Sequence, residues 1–177
     1  IIHDINNAAA KGIINDGTSA TVTINRALIY NIKNTVQSYG TNVGIWSAAA
    51  GTLNIYSSKI YNPTCPTDPN TCRRCAGIHH ANSSAPTNVW NTVIDGFQTG
   101  FDECAGYAYG SFTVHNSIAK NSSVADIIGK VNLFEYGFYT TSSANGYGNS
   151  PTIANSSTDD PLFVDEANRD LYLQPTS

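Results

Sequence analysis

Short alternations of apolar and polar residues recur along the chain, among them Val22-Thr23-Ile24, Leu53-Asn54-Ile55 and Phe112-Thr113-Val114. A period of two marks a strand with one face in a core. Thr, Ile, Val and Tyr dominate these bursts, as strands prefer. No stretch sustains a helical period, and Asn, Ser, Gly and Thr interrupt throughout. Four segments align without gaps: Ile24 to Asn31, Ile55 to Asn62, Val89 to Gly96 and Val114 to Asn121. A second ladder keeps step with them, a glycine followed by a large apolar residue: Gly12-Ile13, Gly44-Ile45, Gly77-Ile78, Gly100-Phe101 and Gly137-Phe138.

Two ladders repeating in one order are the signature of a solenoid. Each repeat is too poor in apolar residues to fold alone and must bury its face on its neighbours. Several short strands per repeat predict an all-β, parallel β-helix. The crossover rule makes it right-handed. The expected layout is one domain over residues 1–177 with about five coils. Residues 1–11 form a partial coil, 62–76 and 104–110 are loop excursions, and 159–177 close the helix. Ile1 to Asn7 aligns with Leu28 to Asn34, so the chain enters in mid-coil. With no Met anywhere, it reads as an excised piece of a longer protein. An open coil end asks for cover, from flanking coils or a neighbouring subunit.

Alternation from the glycine places Ile13, Ile45, Ile78, Phe101 and Phe138 in the core. Ile14, Trp46, His79, Asp102 and Tyr139 then form an outward row about 4.8 Å apart from coil to coil. Trp46, His79, Asp102 and Tyr139 are candidates for carbohydrate contact, aromatic faces stacking on sugar rings and polar groups bonding hydroxyls. A second outward row is Asn25, Tyr56, Trp90 and His115. Asn31, Asn62 and Asn121, in register with Gly96, read as a structural ladder at a turn.

Charged residues make up only 12% of the chain, and Asn, Ser and Thr build its polar surface instead. A net charge of −4 with nine Lys plus Arg excludes the basic footprint that nucleic acid requires. No apolar run approaches the roughly 18 residues of a membrane span.

Candidate chemistry gathers at one place, where His79, His80, Asp102 and Glu103 fall on neighbouring coils. His79 with Asp102, and His80 with Glu103, are expected pairs. A base held by an acid suits proton abstraction or hydrolysis. The first reading of these four is nonetheless structural pairs, with metal ligands the remotest alternative. The acids Asp159, Asp160, Asp165 and Glu166 suit turns and caps, with calcium as the alternative. No cofactor is otherwise implied.

Cys65, Cys72, Cys75 and Cys104 read as zinc ligands or as two disulfides. The Asn/Ser/Thr-rich, Lys-poor composition suggests secretion and so favours disulfides. In stacked strands Cys75 and Cys104 are six residues out of register, about 20 Å along the strand and too far to bridge. Cys104 is therefore expected to pair with Cys72 or Cys65.

The tail Asp159-Asp160-Pro161-Leu162-Phe163-Val164-Asp165, followed by Leu171-Tyr172-Leu173-Gln174-Pro175, resembles the closing motif of the pectin-lyase-like superfamily, in particular secreted bacterial proteins of the choice-of-anchor Q type. The resemblance implies a β-helix. It does not imply one activity, because the superfamily holds lyases, hydrolases, adhesins and surface stalks. Its lyases usually rely on a Lys or Arg, which the row lacks and which Arg73 and Arg74 would have to supply. The expected function is a secreted or cell-surface module, structural or adhesive, that touches polysaccharide. The alternative is a polysaccharide lyase or glycoside hydrolase centred on His79 to Glu103.

Overall fold

A computed structural model describes residues 1–7, 10–16, 20–34, 42–48, 51–62, 75–81, 85–103, 111–144, 149–161, 163–165 and 170–173. Within them the chain winds into a parallel β-helix of three six-stranded sheets. The first sheet stacks Ile2–His3, Leu28–Tyr30, Lys59–Tyr61, Val93–Asp95, Ile118–Lys120 and Phe138–Tyr139. The second stacks Lys11–Asn15, Asn42–Ser47, Cys75–His80, Thr99–Glu103, Ala125–Gly129 and Ser142–Ser143. The third stacks Val22–Asn25, Leu53–Tyr56, Thr87–Trp90, Phe112–His115, Leu133–Glu135 and Ile153–Ala154. The rungs thus number about six, one more than the repeats suggest. Among the described residues no helix is long and apolar enough to cross a membrane.

The gapless segments align as expected. Ile24, Ile55, Val89 and Val114 are partners in the third sheet, and Ile29, Ile60, Ile94 and Ala119 in the first. Both columns point into one core. The entering segment also holds its register, with His3 beside Tyr30 and Asn7 beside Asn34.

Between the third and first sheets the chain turns through a left-handed residue in every rung: Arg26, Ser57, Asn91, Asn116, Tyr136 and Asn155, with φ from 46° to 55°. The residue after the turn carries a hydroxyl in most rungs. Ser58, Thr92 and Ser117 each donate to the carbonyl two residues back, at 2.9, 3.0 and 2.8 Å. The same oxygens accept the N–H of the preceding rung, as Thr92 N–H does to Ser117 Oγ at 3.1 Å. This buried ladder satisfies corner groups that a sheet cannot reach.

The glycine ladder answers a steric demand. A Cβ on Gly44 would lie 2.5 Å from Cγ2 of Ile60 and 2.6 Å from the carbonyl oxygen of Gly77. Only glycine lets the second sheet approach the isoleucine column of the first so closely. Gly12, Gly44, Gly77 and Gly100 occupy this position in four rungs. The fifth rung carries Asp126 there, opposite Gly100.

Gly137 therefore does not belong to this ladder. It takes the corner position that Ser117 holds one rung earlier, and its amide is bonded by Ser156 Oγ at 3.2 Å. Two assignments reverse as a result. Phe138 is not a core residue of the Ile78 stack; it pairs with Ile118 and packs on the outer side of the first sheet. Tyr139 is not in the outward row; it follows Ala119 in the inner column and meets the core edge-on at Phe134, 5.8 Å away. The fifth member of the Ile45–Ile78–Phe101 stack is Ile127.

Asn62 lies buried just after Lys59–Tyr61, and Cys75 and Ala76 already belong to the next strand, so the first excursion is shorter than 62–76. Residues 63–74 and the excursion 104–110 lie outside the described residues. Phe163–Asp165 and Asp170–Leu173 pair as an antiparallel hairpin within the predicted closing segment.

Candidate functional site

In the second sheet the glycine position drops out of the pairing: Ala76, Ile78 and His79 pair with Thr99, Phe101 and Asp102, but Gly77 and Gly100 do not pair. This break in alternation leaves the residue before the glycine on the same outer side as the residue two after it. Lys11 accordingly reaches the Trp46 ring, its Nζ 4.1 Å from the centroid. Thr99 Oγ1 likewise donates to Asp102 Oδ2 at 3.2 Å.

Along that side runs the column Ile14, Trp46, His79, Asp102 and Ile128. Trp46 and His79 lie ring to ring at 4.5 Å, and His79 Nδ1 lies 3.3 Å from Asp102 Oδ2. The expected His79–Asp102 pair is thus present in register, but it is sealed: both residues are 0% exposed. The contact is short without hydrogen-bond geometry. Neither His79 nitrogen nor Asp102 Oδ1 has a hydrogen-bond partner. The row is outward in direction but not accessible at His79 and Asp102, while Ile14 at its other end is open.

His80 and Glu103 go elsewhere. His80 turns inward, where Nδ1 meets Thr87 Oγ1 at 3.0 Å and the ring lies 5.6 Å from Phe112. Thr87 in turn donates to Ser47 Oγ at 3.0 Å. Glu103 Oε2 accepts the Lys130 backbone N–H at 2.9 Å. Burial pushes the Glu103 carboxyl above its ordinary value, more than the Lys130 N–H lowers it. The four residues that sequence spacing draws together are therefore divided between two sides of one sheet.

The third sheet carries the accessible arrangement. Its outer face holds two columns. Tyr56, Trp90, His115 and Glu135 are registered neighbours. Tyr56 and Trp90 stack at 4.8 Å and 9°, Trp90 and His115 at 5.7 Å and 13°, and His115 Nδ1 meets Glu135 Oε1 at 2.8 Å. His115 and Glu135 each keep 23% of their side-chain surface in solvent. Beside them Asn88 Nδ2 donates to Asn54 Oδ1 at 3.0 Å, and Thr113 Oγ1 donates to Asn88 Oδ1 at 2.8 Å. A partly exposed imidazole held by a carboxylate thus occurs at His115 and Glu135. His115 belongs to the second outward row of the sequence, but Glu135 does not, because the gapless segments end with Val114 to Asn121 and Gly137 draws the next segment into the glycine ladder instead.

No family model, curated protein or solved structure matches this chain.

Among the described residues no group of three or more His, Cys, Asp or Glu is arranged to hold a metal ion. Asp159 Oδ2 accepts from Ser157 Oγ at 2.7 Å, and Asp160 pairs with Lys120 at 2.8 Å, which are turn and clamp contacts. Glu166 lies outside the described residues, as does the side chain of Asp165. Cys75 is disulfide-bonded. Cys65, Cys72 and Cys104 lie outside the described residues, and the predicted pairing with them.

Proposed function

We propose that this chain is a structural or adhesive β-helix module of the extracellular space or cell surface, and that it contacts polysaccharide through the outer face of its third sheet. The observation that carries this reading is the half-exposed column Tyr56–Trp90–His115–Glu135, flanked by the amide and hydroxyl column Asn54–Asn88–Thr113. A flat, rigid array of hydrogen-bonding groups repeated at the coil spacing suits a repeating polymer of hydroxyls. The kinship with pectin-lyase-like proteins implied by the tail, secretion, and a second disulfide among the cysteines belong to the same proposal.

The lyase or hydrolase reading at His79 to Glu103 is disfavoured by burial. A general base must reach the proton it abstracts, and His79 and Asp102 meet no solvent. The test is a panel of immobilised polysaccharides scored separately for retention and for release of oligosaccharides. Retention without release, weakened by Trp90→Ala and His115→Ala but not by His79→Ala, is expected. Cleavage abolished by His79→Ala would overturn the reading.

A further inference from the structure

The rings of the third-sheet column lie face to face, so their π-faces are spent on one another. What the column offers outward is its edges. The Tyr56 hydroxyl and the Trp90 indole N–H have no hydrogen-bond partner among the described residues, and neither does Asn54 Nδ2. The two columns hold no Lys or Arg, and their one carboxylate, Glu135, is paired with His115. Arg26 follows Asn25 at the corner of the first rung of this sheet.

Resting on the proposed glycan contact, we infer that the ligand is a neutral, extended polysaccharide lying parallel to the helix axis and held through its hydroxyls by edge hydrogen bonds. The rungs repeat roughly every 4.8 Å, close to the advance of one sugar in an extended chain, so successive sugars meet successive rungs. A uronate polymer would bring a carboxylate to nearly every rung and find no cation opposite it; like charge at Glu135 would repel it. Edge hydrogen bonds to neutral hydroxyls also make the contact nearly independent of ionic strength.

The decisive variant is Tyr56→Phe, which keeps the ring stack and removes the hydroxyl. Retention of the intact chain is measured by affinity electrophoresis on a neutral β-linked glucan, a mannan and a xylan, and on polygalacturonate and alginate, at low and high salt. Thermal unfolding confirms that the variant is folded. Retention by a neutral polymer, insensitive to salt and weakened roughly five- to tenfold in Tyr56→Phe, is expected. Retention by the uronate polymers alone would overturn the neutral class while leaving glycan contact standing. Neutral binding unchanged in Tyr56→Phe would overturn the edge-bonded site. No retention by any polymer would overturn the glycan reading itself.

Discussion

The carboxylate of Asp126 accepts the backbone N–H of Thr140 at 2.6 Å, and the same oxygen accepts that of Thr141 at 3.1 Å. Its other oxygen takes the Ser122 N–H at 3.1 Å. Asp126 stands where four earlier rungs have glycine, and it is buried. A side chain at this position ties one rung to the start of the next. Asp126→Ala would strand three amides, and hydrogen bonds to a charged acceptor are the stronger kind. A loss of about 3 kcal/mol is expected in urea unfolding, with faster hydrogen exchange at Thr140 and Thr141. Unchanged exchange there would show that the amides find other partners.

Phe101 lies at the centre of the core, 0% exposed, with Phe134 at 5.8 Å and Phe112 at 6.2 Å. Phe101→Ala should cost about 3–5 kcal/mol through the cavity it leaves. Phe138→Ala, on the outer side of the first sheet, should cost less. Equal losses would contradict the reversed placement of Phe138 and Tyr139.

Gly44→Ala brings a methyl against both Ile60 and the Gly77 carbonyl. Overpacking of this kind costs about 1–3 kcal/mol. Adding Ile60→Ala should cost less than the sum of the two single changes, because it removes the Cγ2 that the new methyl meets. The backbone contact with Gly77 remains, so full recovery is not expected. Melting temperatures of the single and double variants check this.

Glu103 offers a test by pH. Burial raises its folded-state pKa above the ordinary 4.5. An acid whose folded pKa is raised adds stability below the unfolded pKa and loses it as pH rises through the folded value. The wild type should therefore gain on Glu103→Gln as the pH falls from neutrality toward 4.5, and the difference between them should be flat below it. Parallel melting curves across that window would remove burial as the cause.

His79 and Asp102 leave three buried polar atoms without hydrogen bonds. Orphaned atoms of this kind weaken a fold. His79→Leu with Asp102→Leu should thus cost less than the sum of the two single changes. A strictly additive result would show that the two side chains are energetically independent. Glycan retention should be unaffected in all three variants.

The amino-acid sequence by itself determined the winding. The gapless segments pair Ile24 with Ile55, Val89 and Val114, and they do so because parallel coils demand one residue on one residue. The glycine ladder held for four rungs, since each Cβ would strike the facing column. It failed at the fifth, where Asp126 replaces glycine and uses its side chain on the next rung. Gly137 offers a false rung, and alternation from it puts Phe138 and Tyr139 on the wrong faces. Only the tertiary structure decided which outward rows meet solvent. Alternation tells which way His79 and Tyr56 point, but not what packs over a row. Only the tertiary structure, too, decided that the Tyr56, Trp90 and His115 rings stack on each other. Stacking depends on side-chain rotamers held in register across rungs, and a residue pattern carries no rotamers.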